Sequence, residues 1–174
     1  MIKDKDLREL RQTYCYRDGR EVTLQRIQDA IREVSEQYQI PISFYNDQIK
    51  SGGMLNSQVT ECLVLYHPDH RDDYFKIAIS VRYEGTMAYV STQDFGVSKN
   101  MKKLNAREVA VSALKQGSND AKKEGNWSPG MSLMSGVIGG TVGALRSLGG
   151  SKAKQETENR YYASLMQILE EVIH

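Results

Sequence analysis

Cysteine is scarce in this chain: Cys15 and Cys62 are the only two. They cannot form a multi-bridge framework, and no Cys-x-x-Cys spacing offers a redox or zinc motif. A reduced, cytoplasmic setting is the reading this favours. Net charge is also small, +1 over 174 residues, which argues against general attraction to nucleic acid. No uninterrupted apolar run reaches the ~18–20 residues needed to span a bilayer. The charged opening Met1–Asp6 leads into no apolar core of a secretory signal. Absent too are the spacings of phosphate-binding glycine loops, and any assembled set of acid, base and nucleophile. The chain therefore reads as non-catalytic and without a cofactor.

Present instead are strong periodicities. From Tyr74 to Tyr83 the chain alternates, with Phe75, Ile77, Ile79, Val81 and Tyr83 on one side and Lys76, Ala78, Ser80 and Arg82 on the other. That period of two belongs to a half-buried strand. Glu84-Gly85 reads as a two-residue hairpin loop leading into a strand over 86–92. The register this implies sets Tyr83 opposite Thr86, Val81 opposite Ala88 and Ile79 opposite Val90. Residues 58–67 are apolar on both sides and read as a covered strand. Residues 42–45 alternate briefly, as an edge strand would, and Asn46–Asn56 reads as an exposed loop.

Thr23 is a good N-cap for a helix over 24–39, with Leu24, Ile27, Ile31, Val34 and Tyr38 on one stripe and Pro41 as the stop. Asn105 opens a helix over 106–123. Residues 152–173 form a third, carrying Tyr161, Tyr162, Leu165, Ile168, Leu169 and Val172. Residues 4–17 fit a further helix through Leu7, Leu10 and Tyr14, with a rival hairpin around Asp18-Gly19. The expectation is one α+β domain over 1–174: an antiparallel meander of three to four strands, apolar on one face, with helices packed there.

Three stretches are candidates for function. His67, Asp69, His70, Asp72 and Asp73 gather metal-ligand chemistry at one hairpin tip, although Pro68-Asp69 also suits a plain turn. Cys62 and His67, five residues apart on a strand, point to opposite faces and form no nucleophile–base pair. The polar strand face offers Lys76, Arg82, Met87 and Tyr89 as contacts for a protein partner or a second copy. Residues 127–150 form a glycine-rich apolar connector between the last two helices. Its Met131, Leu133, Val137, Ile138, Val142 and Leu145 could dock on protein. Alternatively they could sit shallowly in the inner face of an anionic membrane. Ten basic against three acidic residues from Val97 to Lys154 would help the membrane reading. An interaction or self-association module is thus the first expectation, and a peripheral membrane protein the second.

Overall fold

The computed structural model describes residues 1–10, 13–52, 57–96, 98 and 150–173. The expected helix over 106–123 and the connector residues Met131, Leu133, Val137, Ile138, Val142 and Leu145 lie outside the described residues. Two compact units are formed, Met1–Ser98 with Ile168–His174, and Lys99–Gln167. The described chain is α+β, with a larger sheet than the periodicities announce. Its strands are β1 (Ile2–Lys3), β2 (Arg8–Glu9), β3 (Tyr14–Tyr16), β4 (Ser43–Ser51), β5 (Gln58–Tyr66), β6 (Lys76–Glu84) and β7 (Met87–Phe95). The helices are α1 (Leu24–Gln37) and α2 (Gly150–Ile173). Sheet order is β1-β4-β5-β6-β7-β2, and β3 also pairs with β7. All pairs are antiparallel except β1 with β4.

The N-terminal strands force this sheet to curl. Lys3 pairs with Lys50 on one edge, and Arg8 pairs with Asp94 on the other. Five strand spacings separate β1 from β2, about 24 Å if the sheet were flat. Five residue steps reach at most about 18 Å even when extended, and here a 3₁₀ turn at Asp4–Asp6 shortens them. The two edges must therefore approach each other. Inside the curl, Ile2, Ile49, Cys62, Val64 and Ala78 form a buried cluster with Leu7, Tyr45 and Phe95 packed against it.

The opposite face carries Leu63, Leu65, Ile77, Ile79 and Val90, all essentially inaccessible. Helix α1 contacts β5 and β6 and buries Ile27 and Ile31. Both sheet faces are thus apolar over their central part, which corrects the expectation of one apolar and one open polar face. Ala78, expected among polar neighbours, is fully buried.

Three further expectations change. The 4–17 helix is replaced by β1, β2 and β3, because the outer edge of β7 needs hydrogen-bonding partners. Leu10 N–H donates to Thr92 O at 3.0 Å, and Tyr14–Tyr16 pair with Val90–Ala88. The rival hairpin is absent as well, since Gly19–Glu21 is a 3₁₀ turn. In the β6–β7 hairpin the loop is Gly85-Thr86, so Tyr83 lies opposite Ala88, Val81 opposite Val90 and Ile79 opposite Thr92. The slip is by two residues, which leaves every side chain on its expected face. Finally, the polar stretch after Tyr45 is no loop: β4 continues to Ser51 and pairs with β5 along its whole length.

Helix α1 begins where expected, the Thr23 hydroxyl accepting the Arg26 N–H at 3.2 Å. Its end is a Schellman arrangement. Ile40 N–H donates to Ser35 O (2.8 Å) and Gln39 N–H to Glu36 O (3.2 Å), with Gln39 at a φ of 56°. That is left-handed backbone, costing a side-chain-bearing residue about 1 kcal/mol. Gln39→Gly should accordingly raise stability by about 0.5–1 kcal/mol, read as a higher urea midpoint with unchanged slope. Helix α2 buries Tyr161, Tyr162, Leu165, Ile168 and Leu169 of the expected stripe and leaves Val172 half-buried.

Candidate functional site

Strand β4 has nine residues, and β1 pairs with only Ile49 and Lys50 at its far end. Among the described residues, nothing pairs with the outer edge from Ser43 to Asn46. Backbone groups alternate between the two sides of a strand. Gln48 donates its N–H to the Asp47 carboxylate at 2.8 Å, so the outward set is Phe44, Asn46 and Gln48. The same carboxylate holds the Met1 ammonium at 2.8 Å. Those two contacts keep the Asp47 carboxyl below its ordinary range, the ammonium contributing most and partial burial opposing. Among the described residues, the edge is therefore blunted at one end and open at the other.

A groove runs beside this open stretch, between α1 and β4. Two hollows compose it, of about 450 Å³ and about 370 Å³, and Gln28 lines both. The first is bounded by Arg32 and Glu36 on the helix, Ile40, Pro41 and Ile42 in the connection, and Phe44 on the strand. Arg32 pairs with Asp29 at 3.3 Å and lies over the Phe44 ring at 5.7 Å. In the second, Asn46, Gln48 and Glu61 face Leu24 and Gln25. Its ionisable side chain on this sheet face is Glu61, because Asp47 alternates to the opposite face together with its cross-strand partner Cys62. The helix supplies polar residues here because its apolar stripe is turned toward the sheet.

The hairpin tip between β5 and β6 uses its histidines on one another and on tyrosine. Pro68 opens a 3₁₀ turn, and His67 Nδ1 accepts the Asp69 N–H at 3.1 Å. The His70 ring stacks on Tyr74 at 4.3 Å and sits 4.7 Å from His67, which meets Tyr74 edge-on at 5.4 Å. Arg71 lies over both Tyr66 (5.4 Å) and Tyr45 (5.7 Å). Asp72 reaches Lys76 at 3.6 Å, and Asp73 reaches His70 at 3.8 Å. Among the described residues, no group of three or more His, Cys, Asp or Glu side chains is arranged to hold a metal ion.

Burial lowers the His67 pKa from its ordinary 6.5, and neighbouring His70 lowers it further, against an opposing pull from Asp69. Between the lowered value and 6.5 the unfolded chain binds more protons than the folded one. Stability should then fall as pH drops below about 6.5. His67→Asn keeps an acceptor for the Asp69 N–H and removes the titration. Urea unfolding of the variant between pH 5 and 7.5 should show a shallower pH slope than the wild type.

The other expected contact residues do not form one patch. Arg82 and Tyr89 are cross-strand partners, the guanidinium 5.3 Å from the ring centre, and Arg82 also pairs with Glu84 at 3.2 Å. The Tyr89 hydroxyl donates to Met87 Sδ at 3.7 Å. Lys76 is paired with Phe95 at the opposite end of β6, about 20 Å along the strand, with buried Ala78 between. Cys62 is wholly buried and its thiol is pushed up to about 11, chiefly by burial and then by Asp47. It is an inert core residue.

Sequence reasoning missed Gln28, Arg32, Asn46 and Glu61 as site residues. The available signal was the short alternation at 42–45, which marked an edge strand next to a helix with a polar flank. Comparison with family models, with curated proteins and with solved structures finds no match. Among the described residues, no helix is long and apolar enough to cross a membrane.

Proposed function

We propose that this chain is a non-catalytic binding module that takes a protein partner in the groove between α1 and β4. The supporting observation is the pairing of that groove with a strand edge whose outward groups at Phe44 and Asn46 have no backbone partner among the described residues. Edge strands beside a helix offer a peptide two things at once: main-chain hydrogen bonds for affinity and flanking hollows for selectivity. The hairpin tip and the Arg82–Tyr89 face lack that combination, since their side chains are already engaged with one another.

The experiment is a selection of short peptides from a displayed random library on the isotopically labelled protein, followed by mapping of amide shifts. Shifts concentrated at Gln28, Arg32, Phe44 and Asn46 support the assignment. Shifts concentrated at Arg82, Met87 and Tyr89 would overturn it in favour of the polar strand face.

A further inference from the structure

The groove also constrains what it binds. Resting on the binding role just proposed, we infer that its occupant is an extended peptide segment that joins the sheet on the outer side of β4. That segment carries an apolar residue and, two positions away, a lysine or arginine. The spacing follows from strand geometry. Phe44 and Asn46 lie on the same sheet face and both direct backbone groups outward. A strand laid against them presents alternate side chains to the groove, about 7 Å apart. One of these meets the hollow whose floor is Ile40, Pro41, Ile42 and Phe44, with Arg32 and Glu36 on its helix side. The next meets the hollow that carries the Glu61 carboxylate.

Asp47 takes no part in the groove, since its side chain lies on the opposite sheet face, where it holds the Met1 ammonium at 2.8 Å. The Glu61 side chain is exposed, and no ion pair to it occurs among the described residues. A cation there gains a carboxylate, whereas a second acid would meet repulsion. Arg32 does not cancel this preference, because it is paired with Asp29 and held over Phe44 at the other end of the groove. The match of charge commits the occupant to a basic strand rather than an acidic one. Length is limited too: with β1 on Ile49 and Lys50 and the Gln48 N–H held by Asp47, only a segment of about four or five residues fits alongside Ser43–Asn46.

The test uses two capped synthetic peptides, Thr-Ile-Thr-Lys-Thr and Thr-Lys-Thr-Ile-Thr, titrated into the labelled full chain. One of the two orders should bind, with shifts at Phe44, Asn46 and Gln28. N-methylation at one alternate set of its nitrogens should weaken binding about tenfold or more, while methylation at the other set is tolerated. Replacing its lysine by glutamate should weaken binding about threefold to fivefold at low salt. Glu61→Lys should reverse that preference without changing the fold, checked by the amide spectrum.

Equal tolerance of every N-methyl group, with shifts still in the groove, would overturn strand addition and leave the groove as a binding site. Indifference to the lysine–glutamate exchange would overturn the charge assignment alone. If neither peptide binds at millimolar concentration while library-selected peptides still map to the groove, the strand inference fails and the binding role stands. Shifts confined to other surfaces would remove both. Sedimentation of the free protein as a dimer that dissociates in Asn46→Pro would replace the peptide by a second copy of this chain.

Discussion

Ile79→Ala is expected to destabilise the protein by about 2–5 kcal/mol, the range for truncating an aliphatic side chain in a closed core. Ile79 has no exposed surface, and its cross-strand neighbours are Leu63 on β5 and Thr92 on β7. It sits at the middle of the sheet face over which α1 packs. Strands hydrogen-bonded on both sides cannot move inward to fill the space, so the cavity term should add to the lost transfer energy. Val59→Ala serves as the control. Val59 lies on the same face of β5 but is 53% exposed, and its loss should cost no more than about 0.5 kcal/mol. Chemical unfolding of the two variants should give well-separated midpoints with similar slopes. Equal midpoints would mean that Ile79 is not enclosed.

Gly19→Ala is expected to cost about 2–3 kcal/mol, the upper part of the range for overpacking. The reason is the approach of the Gly19–Glu21 turn to β7. A Cβ at Gly19 would lie 2.2 Å from Ala88 Cβ, 2.5 Å from Ala88 N and 2.9 Å from Ala88 Cα. Gly19 N–H also donates to Thr86 O at 2.9 Å, which ties the turn to the hairpin loop. Ala88 is fully buried and is paired with Tyr83 and Tyr16, so its backbone has no room to retreat. The double variant Gly19→Ala with Ala88→Gly removes only the first of the three contacts. It should recover only part of the loss. Gly85 makes a useful contrast. A Cβ there meets nothing within 4 Å, and its φ of +63° leaves only left-handed strain, about 1 kcal/mol for alanine. Thermal unfolding should rank Gly19→Ala below Gly85→Ala. The reverse order would show that the turn is not pressed against β7.

The elements legible in the sequence are those whose side chains repeat long enough to show a period. Helix α1 announced itself through Thr23 and the spacing of Leu24, Ile27, Ile31 and Val34. Strands β6 and β7 did so through apolar alternation, β5 through a run apolar on both sides, and α2 through its wide stripe. The first sixteen residues could not be read this way. Strands of two or three residues carry no period, and Leu7, Leu10 and Tyr14 happen to fit a helical stripe while Leu7 packs on the inner cluster and Leu10 and Tyr14 meet the edge of β7. Strand β4 was hidden for a physical reason. Past Tyr45 its alternate residues, Asn46, Gln48 and Lys50, are polar, Asn46 and Gln48 lining the groove, and of the whole strand only Ile49 is buried. A polar edge strand resembles a loop when read one residue at a time. Hairpin register was missed by two residues because Glu84 extends the ladder to pair with Met87, and no side-chain pattern distinguishes a loop at Glu84-Gly85 from one at Gly85-Thr86.

The groove account stands or falls on whether the outer side of β4 is free in the unliganded protein. Residue-resolved amide hydrogen exchange measures this directly. The account predicts rapid exchange at Phe44 and Asn46, beside slow exchange at Tyr45 and Asp47, whose amides are turned toward β5. Protection of all four to the same degree would mean that the edge is already paired, and would contradict a binding site there.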